Sequence, residues 1–122
     1  MKQPRILRPE AAESWIAEGC FVAELSNSDA DPDLSIARVL VPPGATTSWH
    51  KLAETAERYL ILEGEGIVEL DGIAPTQVKA GDVVLIPAAC RQRITNPAGS
   101  DDLLFLALCT PSFRPENYVD AE

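Results

Sequence analysis

The sequence has no long apolar run, and this absence argues against a membrane-spanning helix. A helix needs roughly 20 consecutive apolar residues to cross a bilayer, whereas the longest apolar runs here, residues 103–108 and 83–86, have the length of a strand. The N-terminus begins with positive charge, but no apolar stretch of signal-peptide length follows it. We therefore expect a cytoplasmic protein with no membrane partner.

Positive charge is also scarce. The chain has 10 Lys and Arg against 19 Asp and Glu, which gives a formal net charge of −9 at pH 7. Such a chain repels a phosphate backbone, so we expect no nucleic-acid partner. The densest acidic stretch, residues 29–33, reads as a solvated loop.

The cysteines do not form a recognisable pairing pattern. There are three of them, Cys20, Cys90 and Cys109, and no two have CxxC spacing. An odd number without that spacing argues against both a disulfide framework and a structural zinc site. Reduced thiols are the expectation, in keeping with a cytoplasmic location.

What the sequence does contain is a series of short β-rich segments separated by turn residues. They recur about every 8–12 residues, which is typical of an antiparallel sandwich or barrel and not of βαβ units. The eight predicted strands are residues 20–25, 35–41, 59–62, 67–70, 76–79, 83–86, 91–95 and 103–109. We predict an all-β domain over residues 1–122.

The two ends of the chain carry different signals. Residues 9–19 are rich in Ala and Glu and end at Gly19, so they predict a short N-terminal helical turn. Residues 110–122 contain two prolines and two aromatic side chains. They predict an extended C-terminal tail that packs back on the body through Phe113 and Tyr118.

The spacing of five residues between positions 44 and 64 is more specific. Gly44 is followed after five residues by His50, then by Leu52, Glu57 and, six residues on, Gly64. This resembles the first motif of the cupin family, Gly-x5-His-x-His-x3–4-Glu-x6-Gly. Every interval is met, and Leu52 stands where the second histidine is expected.

A second spacing, between positions 81 and 96, supports the same resemblance. Gly81 is followed by Pro87, Ala89, Gln92 and Asn96 at the intervals of the second cupin motif. Ala89 replaces a usual glycine, and Gln92 replaces a usual histidine. The resemblance implies an antiparallel jelly-roll barrel of the small single-domain cupin type. It also leads us to predict no helix at residues 52–57, whose Ala and Glu favour one.

The resemblance further implies a metal site inside the barrel. His50 and Glu57 match ligand positions of the family, and Gln92 offers a weak carbonyl oxygen at a third. Leu52 cannot bind a metal, and His50 is the only histidine in the chain. Such a donor set would hold one divalent ion, Mn, Fe, Ni or Zn, with a preference for the harder Mn and ferrous ions.

Two metal-free interpretations stay open beside this one. Side chains two residues apart on a strand share a face, so Glu57 and Tyr59 are expected to point into the same space. His50 and Tyr59 are then candidate catalytic groups for acid–base chemistry. Candidate ligand-binding residues are Arg38, Tyr59 and Cys90. Alternatively, His50, Glu57 and Gln92 form a hydrogen-bonded cluster with a purely structural role.

The functional prediction follows from these alternatives. We expect a small cupin barrel that binds a small polar or anionic molecule, either as a metal-dependent enzyme of oxygenase, isomerase or lyase type, or as a metal-free binding or regulatory barrel. The resemblance also implies a homodimer, because cupins commonly pair through an edge strand or the outer face of a sheet.

Overall fold

Alternation of apolar and polar side chains with a period of two governs the fold. The structure is a computed structural model that describes residues 1–9, 14–16, 19–97, 99 and 101–122. In that part of the chain the strands are β1 (Ser14–Ile16), β2 (Cys20–Ser26), β3 (Ser35–Val41), β4 (His50–Leu52), β5 (Ala56–Glu63), β6 (Glu65–Leu70), β7 (Thr76–Lys79), β8 (Val83–Ile86), β9 (Gln92–Thr95), β10 (Leu103–Thr110) and β11 (Tyr118–Asp120). All eight predicted strands are present, so the all-β prediction is confirmed.

The strands form two antiparallel sheets. One sheet has the order β1-β2-β3-β10-β5-β8, and the other has the order β11-β4-β9-β6-β7. Neighbouring strands in each sheet are mostly distant in sequence, as in β3-β10-β5, which is the crossover pattern of a jelly roll. Each sheet turns its apolar face toward the other, and the core lies between them.

The inward phase of the central strands is easy to follow. On β5 the buried side chains are Glu57, Tyr59 and Ile61, and on the neighbouring β10 Leu103 and Phe105 are among those buried. Burying each large apolar side chain contributes about 1.5–3 kcal/mol. This core holds the two sheets together and fixes which residues share the interior.

The prediction of an N-terminal helical turn is wrong where the structure describes that segment. Ser14–Ile16 forms β1, an edge strand that pairs antiparallel with β2 from Ser14↔Val22 to Ile16↔Cys20. Helix propensity is worth only tenths of a kcal/mol per residue, and the ladder to β2 outweighs it. Gly19 serves the turn between the strands: its φ is +88°, and an added Cβ would lie 2.8 Å from the Thr46 carbonyl oxygen. The remaining residues of the predicted turn, 10–13 and 17–18, lie outside the described residues.

Residues 52–57 form no helix, as the motif predicted. Leu52 ends β4, a turn through Glu54 with φ +66° follows, and β5 begins at Ala56. The helix propensity of this segment does not decide its structure. The strands bury every second side chain, and a helix in this segment would turn those side chains away from the core.

The C-terminal tail is more ordered than the sequence predicted. Pro115–Asn117 is a 3-10 turn, and Tyr118–Asp120 pairs with β4 at the edge of its sheet, with Tyr118 opposite Leu52. Arg91 Nε donates to the Ala121 carbonyl oxygen at 2.8 Å and fastens the end of the chain to that sheet.

Within the described residues, no helix is long and apolar enough to cross a membrane.

Candidate functional site at the polar end of the barrel

Four polar side chains gather at one end of the barrel interior. His50 of β4 and Gln92 of β9 lie directly opposite each other in one sheet, while Glu57 and Tyr59 extend inward from β5 of the facing sheet. All four are buried. We call the region lined by His50, Glu57, Tyr59 and Gln92 the polar end.

A short hydrogen bond crosses the barrel between the two sheets. The Tyr59 hydroxyl donates to Gln92 Oε1 at 2.5 Å, and only 1% of the Gln92 surface is exposed. Because the phenol donates and the carbonyl oxygen accepts, the bond fixes which way the amide faces. The Tyr59 ring is held in turn by Phe105, at 4.3 Å between ring centroids.

The His50 ring is positioned from two sides. Its Nδ1 lies 2.8 Å from the Ser48 carbonyl oxygen, which can only accept, so Nδ1 carries the proton. In the neutral imidazole the basic nitrogen is then Nε2. The Tyr118 ring stacks on the imidazole with centroids 5.0 Å apart and planes at 12°. Sequence reasoning placed Tyr118 in the tail but did not connect it with the site, and its one signal was an aromatic residue in a proline-rich end.

Glu57 has a thiol for a neighbour. Cys109 lies opposite Glu57 in the ladder between β5 and β10, and its Sγ–H donates to Glu57 Oε2 at 3.9 Å. Burial, followed by the charge of Glu57, raises the pKa of Cys109 to about 12. The thiol therefore stays protonated at neutral pH and belongs to the wall of the polar end, not to a nucleophilic centre.

The donor set does not fit the transition metal that the resemblance implies. Leu52 is buried on the same face of β4 as His50, so an apolar side chain takes the position of a family ligand. The one amide atom able to bind a metal, Gln92 Oε1, already accepts from Tyr59. The described part of the chain contains no group of three His, Cys, Asp or Glu side chains placed to hold an ion.

Two predicted ligand-binding residues lie elsewhere. Arg38 occupies the position between Ala37 and the buried Val39 on β3, so alternation directs its side chain toward the outer face. Cys90 lies in the turn between β8 and β9, where its Sγ is 3.7 Å from the Asp71 carbonyl oxygen. Burial raises the pKa of this thiol. Ligand binding by Arg38 and Cys90 stays a prediction that their positions do not support.

Glycine at position 64 and alanine at position 89 show how the two motifs shape the site. Gly64 has φ +81°, and an added Cβ would lie 2.4 Å from the Asp102 carbonyl oxygen, so a glycine is required there. Ala89 replaces the usual glycine of the second motif yet keeps a left-handed φ of +66°. Its N–H donates to the Leu52 carbonyl oxygen at 2.7 Å, which ties the turn before Gln92 to β4.

Comparison with known proteins agrees with this architecture. The chain is 36% identical over 83 residues to an uncharacterised protein of Methanocaldococcus jannaschii, which is 68% of this chain and 65% of that protein. It is 39% identical over 72 residues to the oxalate-binding protein of Thermotoga maritima, which is 59% of this chain and 58% of that protein. Each match therefore spans less than two thirds of the relative.

A solved structure and a family model extend the comparison. The crystal structure of a predicted oxalate decarboxylase from Thermotoga maritima superposes with a TM-score of 0.76 at 29% identity, covering 88% of this chain and 99% of that one. The family model for the cupin domain matches residues 37–109, which include both motifs and every residue of the polar end. This chain belongs to the cupin family.

Proposed function

We propose that the barrel binds a small polar molecule at its polar end and that His50 exchanges a proton with that molecule without a resident transition metal. The observation that carries the proposal is the hydrogen bond from His50 Nδ1 to the Ser48 carbonyl oxygen. It leaves Nε2 as the basic nitrogen of a buried ring, which is the arrangement a general base requires.

The neighbours of His50 support this role. Gln92 lies opposite His50 in the ladder between β4 and β9, and the Tyr59 hydroxyl donates a short hydrogen bond to Gln92 from the facing sheet. The Glu57 carboxylate comes from the facing sheet. A base, a phenol and a carboxylate are sufficient for proton transfer of the isomerase or lyase type, which requires no redox metal.

A second candidate function is a binding or regulatory barrel without turnover. Leu52 favours it, because an apolar side chain stands at a ligand position of the family and is only 4% exposed. The two functions share the same binding residues. They differ in whether the bound molecule is chemically changed, so turnover separates them.

The test uses protein purified without a histidine tag. A panel of small metabolites, oxalate included because the Thermotoga relative is an oxalate-binding protein, is screened by thermal shift against wild type, His50→Gln and Lys51→Gln. Lys51 is the matched control, since it lies on the opposite face of the same strand. We expect hits that are lost in His50→Gln and retained in Lys51→Gln.

Metal analysis and turnover complete the test. We expect mass spectrometry to find no stoichiometric metal in the purified protein. Near-stoichiometric Mn, Fe, Ni or Zn that disappears in His50→Gln would contradict the metal-free mechanism. A hit converted by wild type but not by His50→Gln identifies an enzyme, whereas a hit bound unchanged identifies a binding barrel.

We also propose that the protein is a homodimer in the cytoplasm. Val83 and Leu85 on the edge strand β8 are exposed, Leu85 at 69%, and they lie opposite Leu60 and Arg58 on the outer face of the sheet. An apolar outer face of this kind is covered most simply by the same face of a second copy.

Light scattering on a size-exclusion column should give twice the chain mass for wild type and a monomer for Leu85→Asp. Ile73→Asp, in an exposed turn, is the control, and a monomeric wild type would contradict the proposal.

A further inference from the structure

The polar end is enclosed in this structure. Its four side chains are buried, with an exposed fraction of 9% at Glu57 and 6% at His50, and less at Tyr59 and Gln92. The proposed function requires a small molecule to reach these side chains from solvent. A segment at the border of the polar end must therefore move aside to admit it.

Tyr118 of β11 lies at that border. Its ring stacks on the His50 ring with centroids 5.0 Å apart, yet 37% of Tyr118 is exposed to solvent. Tyr118 is opposite Leu52 in the ladder between β11 and β4, so it extends to the same side of the sheet as the buried Leu52 and His50. A half-exposed ring that lies on a buried one separates the buried ring from solvent.

The strand that carries Tyr118 can leave the sheet at little cost. β11 has three residues, lies at the edge of its sheet, and buries none of its side chains. Its release exposes little apolar surface, and short segments with few buried contacts open most readily. The strand at the other edge of the same sheet, β7, differs because its Val78 belongs to the core.

β11 is fastened from the outer face of the sheet by contacts at the end of the chain. Arg91 Nε donates to the Ala121 carbonyl oxygen at 2.8 Å, and the Ala121 N–H donates to the Trp49 carbonyl oxygen at 3.0 Å. The Arg91 guanidinium also lies 3.8 Å from the centre of the Trp49 ring. All three residues are half-buried, so water competes for these hydrogen bonds and they can break without unfolding the barrel.

From this arrangement, and resting on the proposed function, we propose that β11 is a strap that opens to admit the small molecule to His50. Tyr118 is the part of the strap that covers the imidazole, and Arg91 is the latch that holds the strap on β4. Entry to the polar end is thus governed by local release of β11, and the two sheets stay packed on each other.

The experiment measures how fast the His50 ring reacts with diethylpyrocarbonate, which requires no knowledge of the ligand. His50 is the only histidine in the chain, so the ultraviolet absorbance of the carbethoxylated imidazole reports this one side chain. We expect wild type to react slowly and Tyr118→Ala to react about fivefold faster or more, because the stacked ring is lost. Tyr118→Phe keeps the ring and should react like wild type.

Two further variants separate release of the strap from other effects. Arg91→Ala removes the latch and should also speed the reaction. Arg93→Ala is its matched control, because Arg93 lies on the same Trp49 ring at 4.4 Å but bonds to Glu69 of β6. It should leave the rate unchanged.

Leu103→Ala separates local opening from global unfolding. It removes a completely buried side chain at the far end of β10 and should destabilise the fold more than Tyr118→Ala does. If His50 is reached by release of β11, the rate in Leu103→Ala should stay near that of wild type.

A reversible cross-link tests the motion itself. Val119 and Lys51 are opposite each other in the ladder between β11 and β4, and such pairs have the Cα separation that a disulfide spans. The double variant Lys51→Cys, Val119→Cys should react more slowly with diethylpyrocarbonate when oxidised than wild type does. Reduction, followed by removal of the reductant, should restore the rate.

Three results would each overturn the inference: equal rates in wild type and Tyr118→Ala, an equal acceleration in Leu103→Ala, and a cross-link that forms without slowing the reaction. The proposed function is decided separately by the metabolite panel. If those hits are lost in His50→Gln while the strap variants react like wild type, the proposed function stands and the strap does not.

Discussion

The two ends of the barrel interior are lined by the same strands but by different chemistry. Along β5 the inward side chains run from Glu57 through Tyr59 to Ile61, and along β10 they run from Cys109 to Leu103. One end is therefore a packed apolar core around Leu103 and Ile61, which we call the apolar end, and the other is the polar end. Strand alternation builds both, which shows that a single inward phase can supply a folding core and a binding site.

The apolar end contributes mainly to stability, and the polar end contributes mainly to ligand binding. The apolar end contributes transfer free energy in proportion to the surface it buries. The polar end must instead satisfy each buried donor and acceptor, as the Tyr59 hydroxyl does for Gln92 Oε1. We therefore expect substitutions at the apolar end to act on stability and those at the polar end to act on binding.

The largest effect should come from opening a cavity at the apolar end. Leu103→Ala removes a completely buried side chain and should lower the free energy of unfolding by about 2–5 kcal/mol. Urea denaturation measures it, with Ile73→Ala in an exposed turn as the control, for which we expect less than about 0.5 kcal/mol. Ligand affinity of the folded fraction should not change. A loss of affinity would show that the apolar end also contributes to binding.

Removing the cross-barrel hydrogen bond should affect both properties. Tyr59→Phe leaves Gln92 Oε1 without its donor in a buried place, at a cost of about 1–3 kcal/mol in stability. It also frees the amide to turn, so binding of the small polar ligand should weaken. Denaturation and calorimetry together provide the readout. Unchanged binding would show that Tyr59 does not set the polarity of Gln92.

The C-terminal strand tests the comparison further, because its Tyr118 ring stacks on His50 of the polar end. Tyr118→Ala removes the ring that stacks on His50 and should cost about 1 kcal/mol in stability. Ligand binding should fall as water reaches the imidazole, whereas Tyr118→Phe should preserve both properties. If Tyr118→Ala and Tyr118→Phe bind ligand equally, the ring does not position His50.

The smallest effect should be a dependence of stability on alkaline pH. The folded protein holds the Cys109 pKa at about 12, above its ordinary value of about 9, through burial and the charge of Glu57. Above pH 9 the unfolded chain loses this proton while the folded chain keeps it, so stability falls as pH rises. Denaturation between pH 8 and 10.5 should show a steeper fall for wild type than for Cys109→Ala. Equal slopes would show that folding does not raise the pKa of Cys109.

Much of the fold and part of the site could be predicted from the sequence. Alternation and turn residues located eight strands, and the motif spacing put His50, Leu52 and Glu57 in the interior, because facing on a strand repeats every two residues. The helical turn at residues 9–19 was wrong in Ser14–Ile16, since local composition does not show that β2 offers an edge to pair with.

The sequence by itself determined which side chains share a face and which family ligands are missing. Leu52 and Gln92 stand at ligand positions whatever the rest of the chain does, and His50 has no other histidine to join it. Only the tertiary structure decided that Tyr118 covers His50 and that Tyr59 holds the Gln92 oxygen. Those contacts join residues 68 and 33 positions apart, and they depend on which strands pair and which sheets face each other, a property of the whole chain that local periodicity does not carry.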